Sequence, residues 1–261
     1  MSQPSPQVLL ELATSVAYKA GLTLLDRPTT FEISSKSVAI DIATQMDKAS
    51  EKFIVESLLS ARPHDGIIGE EGASRISTSG ITWVIDPVDG TVNYLYGIPG
   101  WSISIAAKAL PGFWPEVPKE EVLAGIVHSP TMDSTWTGLL GDGATFNGAK
   151  IYCNDPVPLE LALIGTGFAY DVKKRIEQGR VIEALLPKIR DLRRMGSAAV
   201  DICNVAMGRF DGYFEQGLME WDMAAASLIA REAGALFSVN EAGVVVCAGP
   251  ALHPHLLQAV K

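Results

Sequence analysis

Cysteine is scarce in this chain. Cys153, Cys203 and Cys247 are the only three in 261 residues, far apart and with no C-x-x-C pair. That argues against a disulfide scaffold or a cysteine zinc site and predicts free thiols in a reducing cytoplasm. The four histidines, His64, His128, His253 and His255, make no metal-ligand cluster. A basic excess is missing too: 21 Lys and Arg stand against 30 Asp and Glu, a formal charge of -9. A general nucleic-acid binder carries a basic face, so no DNA partner is expected. A small phosphorylated ligand stays open, because a bound cation inverts the local sign. There is no G-x-x-x-x-G-K-[ST] loop and no G-x-S-x-G elbow, so Ser102, Ser104 and Ser197 gain no role as nucleophiles. The opening MSQPSPQ lacks a basic stretch ahead of an apolar one, and no uninterrupted apolar run approaches bilayer-spanning length. Neither a signal peptide nor a membrane span is expected.

What is present is a globular composition, 48% hydrophobic and punctuated by Gly and Pro, enough for one large domain or two packed halves. Val8, Leu9, Leu12, Ala13, Val16, Ala17, Ala20 and Leu24 recur at helical spacing, predicting a first helix of roughly 18 residues. A second helix is predicted over Ala43 to Leu59, with a hairpin or polar mobile loop between them. Short strands follow at Ile67-Ile68, Thr82 to Ile85, Trp101 to Ala109, Val122 to His128 and Ser134 to Leu140. After about residue 150 the rhythm becomes alternating strand and helix, with Asp222 opening a helix that Gly234 ends. The expected division is 1–150, an α+β half, and 151–261, an α/β half, forming one compact unit.

The densest chemistry lies in W-V-I-D-P-V-D-G-T, Trp83 to Thr91. An apolar strand delivers Asp86 at its end; Pro87 and Gly90 bend the chain, and Asp89 and Thr91 follow at once. Two carboxylates, a turn and a hydroxyl in six residues suit a hard cation such as Mg²⁺. Gly69-Glu70-Glu71-Gly72 ends the preceding strand, and Asp222 adds a fourth acid.

These segments resemble the inositol monophosphatase family of metal-dependent phosphomonoesterases. The resemblance rests on W-V-I-D-P-V-D-G-T-V-N-Y (Trp83 to Tyr94), W-D-M-A-A-A-S-L-I-A-R-E-A-G (Trp221 to Gly234), the upstream G-E-E (Gly69 to Glu71) and D-I-A-T-Q-M-D (Asp41 to Asp47). It covers nearly the whole chain. It implies a layered α-β-α-β-α sandwich of the inositol monophosphatase and fructose-1,6-bisphosphatase type, and a homodimer. It further implies Glu70, Asp86, Asp89 and Asp222 as side-chain metal ligands, with the Val88 carbonyl as another. Glu70 and Thr91 would orient the attacking water, with Asp47 behind them, and Gly90 and Thr91 would present backbone N–H groups to phosphate. Lys36 and Asp41 resemble the family's mobile loop. Asp89, Gly165, Thr166, Gly196, Ser197, Ala198 and Glu215 match its substrate-contacting positions, Glu215 as acceptor for a polyol.

The implied reaction is Mg²⁺-dependent hydrolysis of a small phosphorylated polyol, first of all inositol monophosphate, by metal-activated water with about two to three ions per site. Lithium sensitivity comes with the resemblance. Histidinol phosphate and other sugar or nucleotide phosphates are alternative substrates in the same superfamily, and a regulatory protein partner is the alternative of a different class.

Overall fold

The computed structural model describes residues 4–36, 42–113 and 119–261, and its described chain enters a helix capped by Ser5. Helix α1 (Pro6–Leu25) has proline in its first turn, and the Ser5 hydroxyl accepts from Val8 N, which satisfies one of the donors a helix start leaves free. By length and mean hydropathy, 1.4, α1 could cross a membrane, although Glu11 and Lys19 interrupt its apolar run. It is instead a core helix: Leu9, Ala13, Val16, Ala17, Ala20 and Leu24 are buried on one face against the first sheet.

Strands β1 (Ile33–Ser35) and β2 (Ile42–Thr44) pair antiparallel as the expected hairpin; Asp41 lies outside the described residues. Helix α2 (Gln45–Ala61) begins two residues later than expected, because Thr44 and Asp47 close a capping box there.

The first sheet has eight strands: β3 (Gly66–Gly69), β4 (Ser74–Arg75), β5 (Ile81–Asp89), β6 (Ser102–Ala109), β7 (Glu121–Ser129), β8 (Ser134–Leu139), β9 (Gly143–Phe146) and β10 (Ala149–Lys150). They order as β10-β9-β8-β7-β6-β5-β3-β4. The pairing is antiparallel except for β3 and β5, which run parallel. The short helix α3 (Thr91–Tyr96) follows β5.

The second half contains β11 (Leu163–Thr166), α4 (Val172–Leu185), β12 (Asp191–Arg193), α5 (Ala198–Ala206), β13 (Gly212–Gln216), α6 (Glu220–Glu232), β14 (Leu236–Val239), β15 (Val244–Ala248) and α7 (His253–Ala259). Its five strands order as β12-β11-β13-β15-β14. Strand β14 was not expected.

The cores show the layering. Helices α1 and α2 cover one face of the first sheet. Helices α5 and α6 fill the space between the two sheets, and α4 and α7 close the outer face of the second. The expected α-β-α-β-α sandwich is therefore the observed one. Helix α6 sits unusually close to the first sheet: a Cβ at Gly125 would stand 2.9 Å from the Ala225 Cα, and one at Gly138 3.1 Å from the Ile229 Cα. Bare strand positions facing an alanine-rich helix allow that approach. It brings the start of α6 up to the acidic end of β5. The three cysteines are free, as expected.

Candidate active site

In the parallel pair, Gly69 of β3 is level with Ile85 of β5. The residue after each, Glu70 and Asp86, therefore reaches the same end of the sheet. The ladder between β5 and β6 is irregular between Asp86 and Asp89, where Asp86 Oδ1 accepts from Val88 N at 3.0 Å. This bulge turns Asp86 and Asp89 toward one cleft, as bulges do when they re-aim side chains. Asp222 arrives from α6. That helix begins at Glu220 rather than at Asp222, which is its third residue and caps Met219 N at 2.6 Å. Glu70, Asp86, Val88, Asp89 and Asp222 line a cleft of about 420 Å³.

The electrostatics of this cleft are those of crowded acid. Burial, then the charges of Glu70, Asp89 and Asp222, pushes Asp86 well above the usual carboxylate range. Burial and Asp89 push Asp222 up in the same way. Asp89 is pushed up to about 6 by burial, although Ser197 and the Ala199 N–H pull it down. Glu70 Oε2 is buried with no hydrogen-bond partner. Asp65 makes the contrast: this buried acid is satisfied by Arg62 at 2.5 Å and Trp83 at 2.9 Å. Desolvated, mutually repelling oxygens and an orphaned Oε2 fit a hard divalent cation. Among the described residues, no three of them close into a ready-made metal cage.

The nearest positive charge is Lys36, whose Nζ lies 2.7 Å from Glu70 Oε1 and 2.5 Å from Glu71 Oε1. Burial lowers its pKa, but Glu70 and Glu71 outweigh that and hold it above its ordinary value. Thr91 Oγ1 lies 2.9 Å from Asp47 Oδ1 and 3.1 Å from the Val88 carbonyl. The other Asp47 oxygen accepts from Thr44 N at 2.8 Å and from the Thr44 hydroxyl at 2.6 Å. Asp47 thus stands behind Thr91 and not in the cleft wall. Gly90, with φ of 92°, takes the left-handed turn that brings the chain from β5 into α3.

The second half supplies the opposite wall: Thr166, Gly196, Ser197, Ala198 and Glu215 line the same cleft. Ser197 caps α5 through Val200 N at 3.2 Å and donates to Asp89 Oδ2 at 2.5 Å. Glu215 accepts from the Tyr213 hydroxyl. Burial raises it to about 7, the Tyr213 bond opposing and Asp89 assisting. Gly165 does not reach the cleft wall; its Cα faces Phe210 and Tyr213. Gly167 does line the cleft, and a Cβ there would overlap the Glu215 carboxylate.

Sequence reading missed two groups, Glu51 and Asp201, and assigned Arg194 a helix-entry, supporting or interface role. Glu51 bonds the turn after Glu70. Asp201 lines the cleft with a buried, unpartnered Oδ1. Arg194 lines it as well, whereas Arg193 turns outward to Asp191 at 2.6 Å. A polar residue at a helical position facing the sheet signals Glu51, but no local pattern names its partner.

An α-β-α-β-α sandwich with four converging carboxylates beside a Thr91-bearing turn defines a phosphomonoesterase of the metal-dependent class. The Inositol monophosphatase family model matches residues 5–260, and the chain belongs to that family, whose hydrolysis depends on Mg²⁺. It is 39% identical over 242 residues to the inositol-1-monophosphatase of Mycobacterium leprae, covering 88% of this chain and 81% of the relative. It is 37% identical over 240 residues to the Nus factor SuhB of Haemophilus influenzae, covering 90% and 86%. The crystal structure of the extragenic suppressor protein suhB from Bartonella henselae superposes with a TM-score of 0.89 at 30% identity, over 97% of this chain and 98% of that one.

Proposed function

We propose that this chain hydrolyses inositol monophosphate to inositol and phosphate, with about two to three Mg²⁺ ions held by Glu70, Asp86, Asp89, Asp222 and the Val88 carbonyl. The observation that carries this reading is the shared cleft, acid-rich on the β5 side and bounded by Glu215 on the other. Bound Mg²⁺ supplies Lewis acidity, lowering the pKa of a water and neutralising charge on phosphate and the leaving oxygen.

The chain's own groups set the geometry. The Thr91 hydroxyl donates a hydrogen bond to Asp47 or to the Val88 carbonyl, which leaves lone pairs on Oγ1 to accept a hydrogen bond from one O–H of the attacking water. Glu70, its Oε2 unpartnered, accepts from the other. The N–H groups of Gly90 and Thr91 receive phosphate oxygens. Glu215 accepts hydrogen bonds from the polyol, and the small residues Gly196 and Ala198 leave room for its ring. On this reading residues 1–150 carry most of the hydrolytic machinery, and residues 151–261 carry Asp222 and the groups that select the alcohol. The enzyme acts in the cytoplasm as a homodimer and is inhibited by lithium. Exposed Tyr96, Ile98 and Met195 offer apolar surface for a second copy.

A phosphate-release panel with Mg²⁺ tests the substrate. It should compare inositol 1-phosphate, histidinol phosphate, fructose 1,6-bisphosphate, NADP⁺ and 3′-phosphoadenosine 5′-phosphate. Inositol 1-phosphate should give the highest kcat/KM; a strong preference for histidinol phosphate would replace the substrate and keep the chemistry. The likeness to a protein named a Nus factor supports a second reading, binding to a regulatory protein partner. A folded Asp89→Asn chain separates the two: a cellular role that survives loss of hydrolysis rests on binding.

A further inference from the structure

Helix α2 carries three buried polar side chains, Asp47, Ser50 and Glu51. Their i, i+3, i+4 spacing puts them on one face. Each reaches a different part of the cleft's frame. Asp47 holds the Thr91 hydroxyl at 2.9 Å. The Ser50 hydroxyl donates to the Pro87 carbonyl at 3.3 Å, between Asp86 and Val88. Glu51 accepts from Glu71 N at 2.8 Å through Oε2 and from Ala73 N at 2.9 Å through Oε1. Both Glu51 oxygens are thus spent on the turn from which Glu70 projects. Gly69 packs against the same carboxylate so closely that a Cβ would overlap Oε2.

A buried carboxylate that accepts two backbone N–H bonds is a charge-assisted clamp, stronger than a neutral pair. An amide cannot reproduce it, since its NH₂ end would face an N–H donor. Glu51 itself does not line the cleft.

We propose that Glu51 is a positioning residue that aims the Glu70 carboxylate at the bound cation, while Ser50 steadies the Pro87 carbonyl between Asp86 and Val88, so that losing either weakens metal binding and not only folding. The inference rests on the hydrolase reading, because it concerns the cation those carboxylates hold. Outer groups of this kind typically change metal affinity by about 10- to 100-fold.

The test is calorimetric titration of Mg²⁺ into the wild type, Glu51→Gln and Ser50→Ala. Metal-free melting temperature and amide exchange over residues 69–73 are followed alongside. Glu51→Gln should exchange faster at Glu71 and Ala73 and bind Mg²⁺ about tenfold more weakly; Ser50→Ala should show a smaller loss. Should Glu51→Gln fail to fold, Gly69→Ala displaces the same carboxylate and should show the same weakening. Unchanged Mg²⁺ affinity in either folded variant overturns the inference, even if its melting temperature falls. A wild type that binds no Mg²⁺ overturns both this inference and the hydrolase reading.

Discussion

Ser197 donates its hydroxyl to Asp89 across 2.5 Å. The bond joins the first turn of α5 to the end of β5, residues 108 apart in sequence. The Ala199 N–H reaches the same Asp89 oxygen at 2.8 Å. One carboxylate oxygen is therefore committed to the second half of the chain, and the other is left to face the cleft.

Replacing Ser197 by Ala should remove that bond and the α5 cap together. A lost cap costs about 1 kcal/mol, and a buried carboxylate deprived of one donor adds about 1 kcal/mol or more. Urea denaturation should show the combined loss with an unchanged m-value, and Mg²⁺ should restore part of it.

Asp47→Asn should slow turnover far more than it weakens substrate binding. Asp47 accepts from Thr44 N, the Thr44 hydroxyl and the Thr91 hydroxyl, and an amide NH₂ would confront at least one of these donors. Misdirecting Thr91 should lower kcat about 100-fold with KM for inositol 1-phosphate nearly unchanged. Steady-state kinetics at saturating Mg²⁺ measures both.

Glu215 gives metal-free stability a pH dependence whose sign is fixed. Its folded pKa, about 7, lies above the ordinary 4.5. Its contribution is therefore complete below about 4.5 and is lost as pH rises through about 7. Glu215→Gln should remove that component, on the order of 3 kcal/mol between those limits, and raise KM for a polyol phosphate. Chemical denaturation of metal-free protein from pH 4.5 to pH 8 should show a flatter curve for the variant.

Lys36 is the cation that Glu70 and Glu71 share, and a bound Mg²⁺ would compete with it for Glu70. Lys36→Met should lower the metal-free melting temperature at neutral pH and enlarge the rise produced by saturating Mg²⁺. Thermal melts with and without Mg²⁺ read both effects. Equal Mg²⁺-induced rises in wild type and variant would contradict the competition.

Much of this architecture was legible from periodicity. The apolar spacing of α1, the alternation in β6 and the acids at the ends of β3 and β5 each follow from local sequence. The two-residue strand β4 and strand β14 were not legible. β14 has no clean inside-outside alternation, as its Leu236 and Val239 are both exposed, and it is held as a strand by pairing with β15. The start of α6 was misplaced because Asp222 caps backward to Met219 from its third position. Within the cleft, the acids could be named because strands deliver them in short motifs. The clamps that aim them could not, since Glu51 meets Glu71 only after α2 packs on the sheet. Gly165 illustrates the same limit: a single step at the end of β11 decides that Thr166 faces the cleft and Gly165 faces the core.

The central claim is that the acids around Asp86 hold Mg²⁺ for phosphate-ester hydrolysis. Its most direct test is a Mg²⁺ titration of phosphate release from inositol 1-phosphate, with wild type and Asp86→Asn side by side and folding checked by circular dichroism. Release by the wild type should rise saturably from zero with Mg²⁺ and vanish with a chelator, and the folded variant should lose at least about 100-fold in rate. Equal release with and without Mg²⁺, or full activity in Asp86→Asn, would contradict the account.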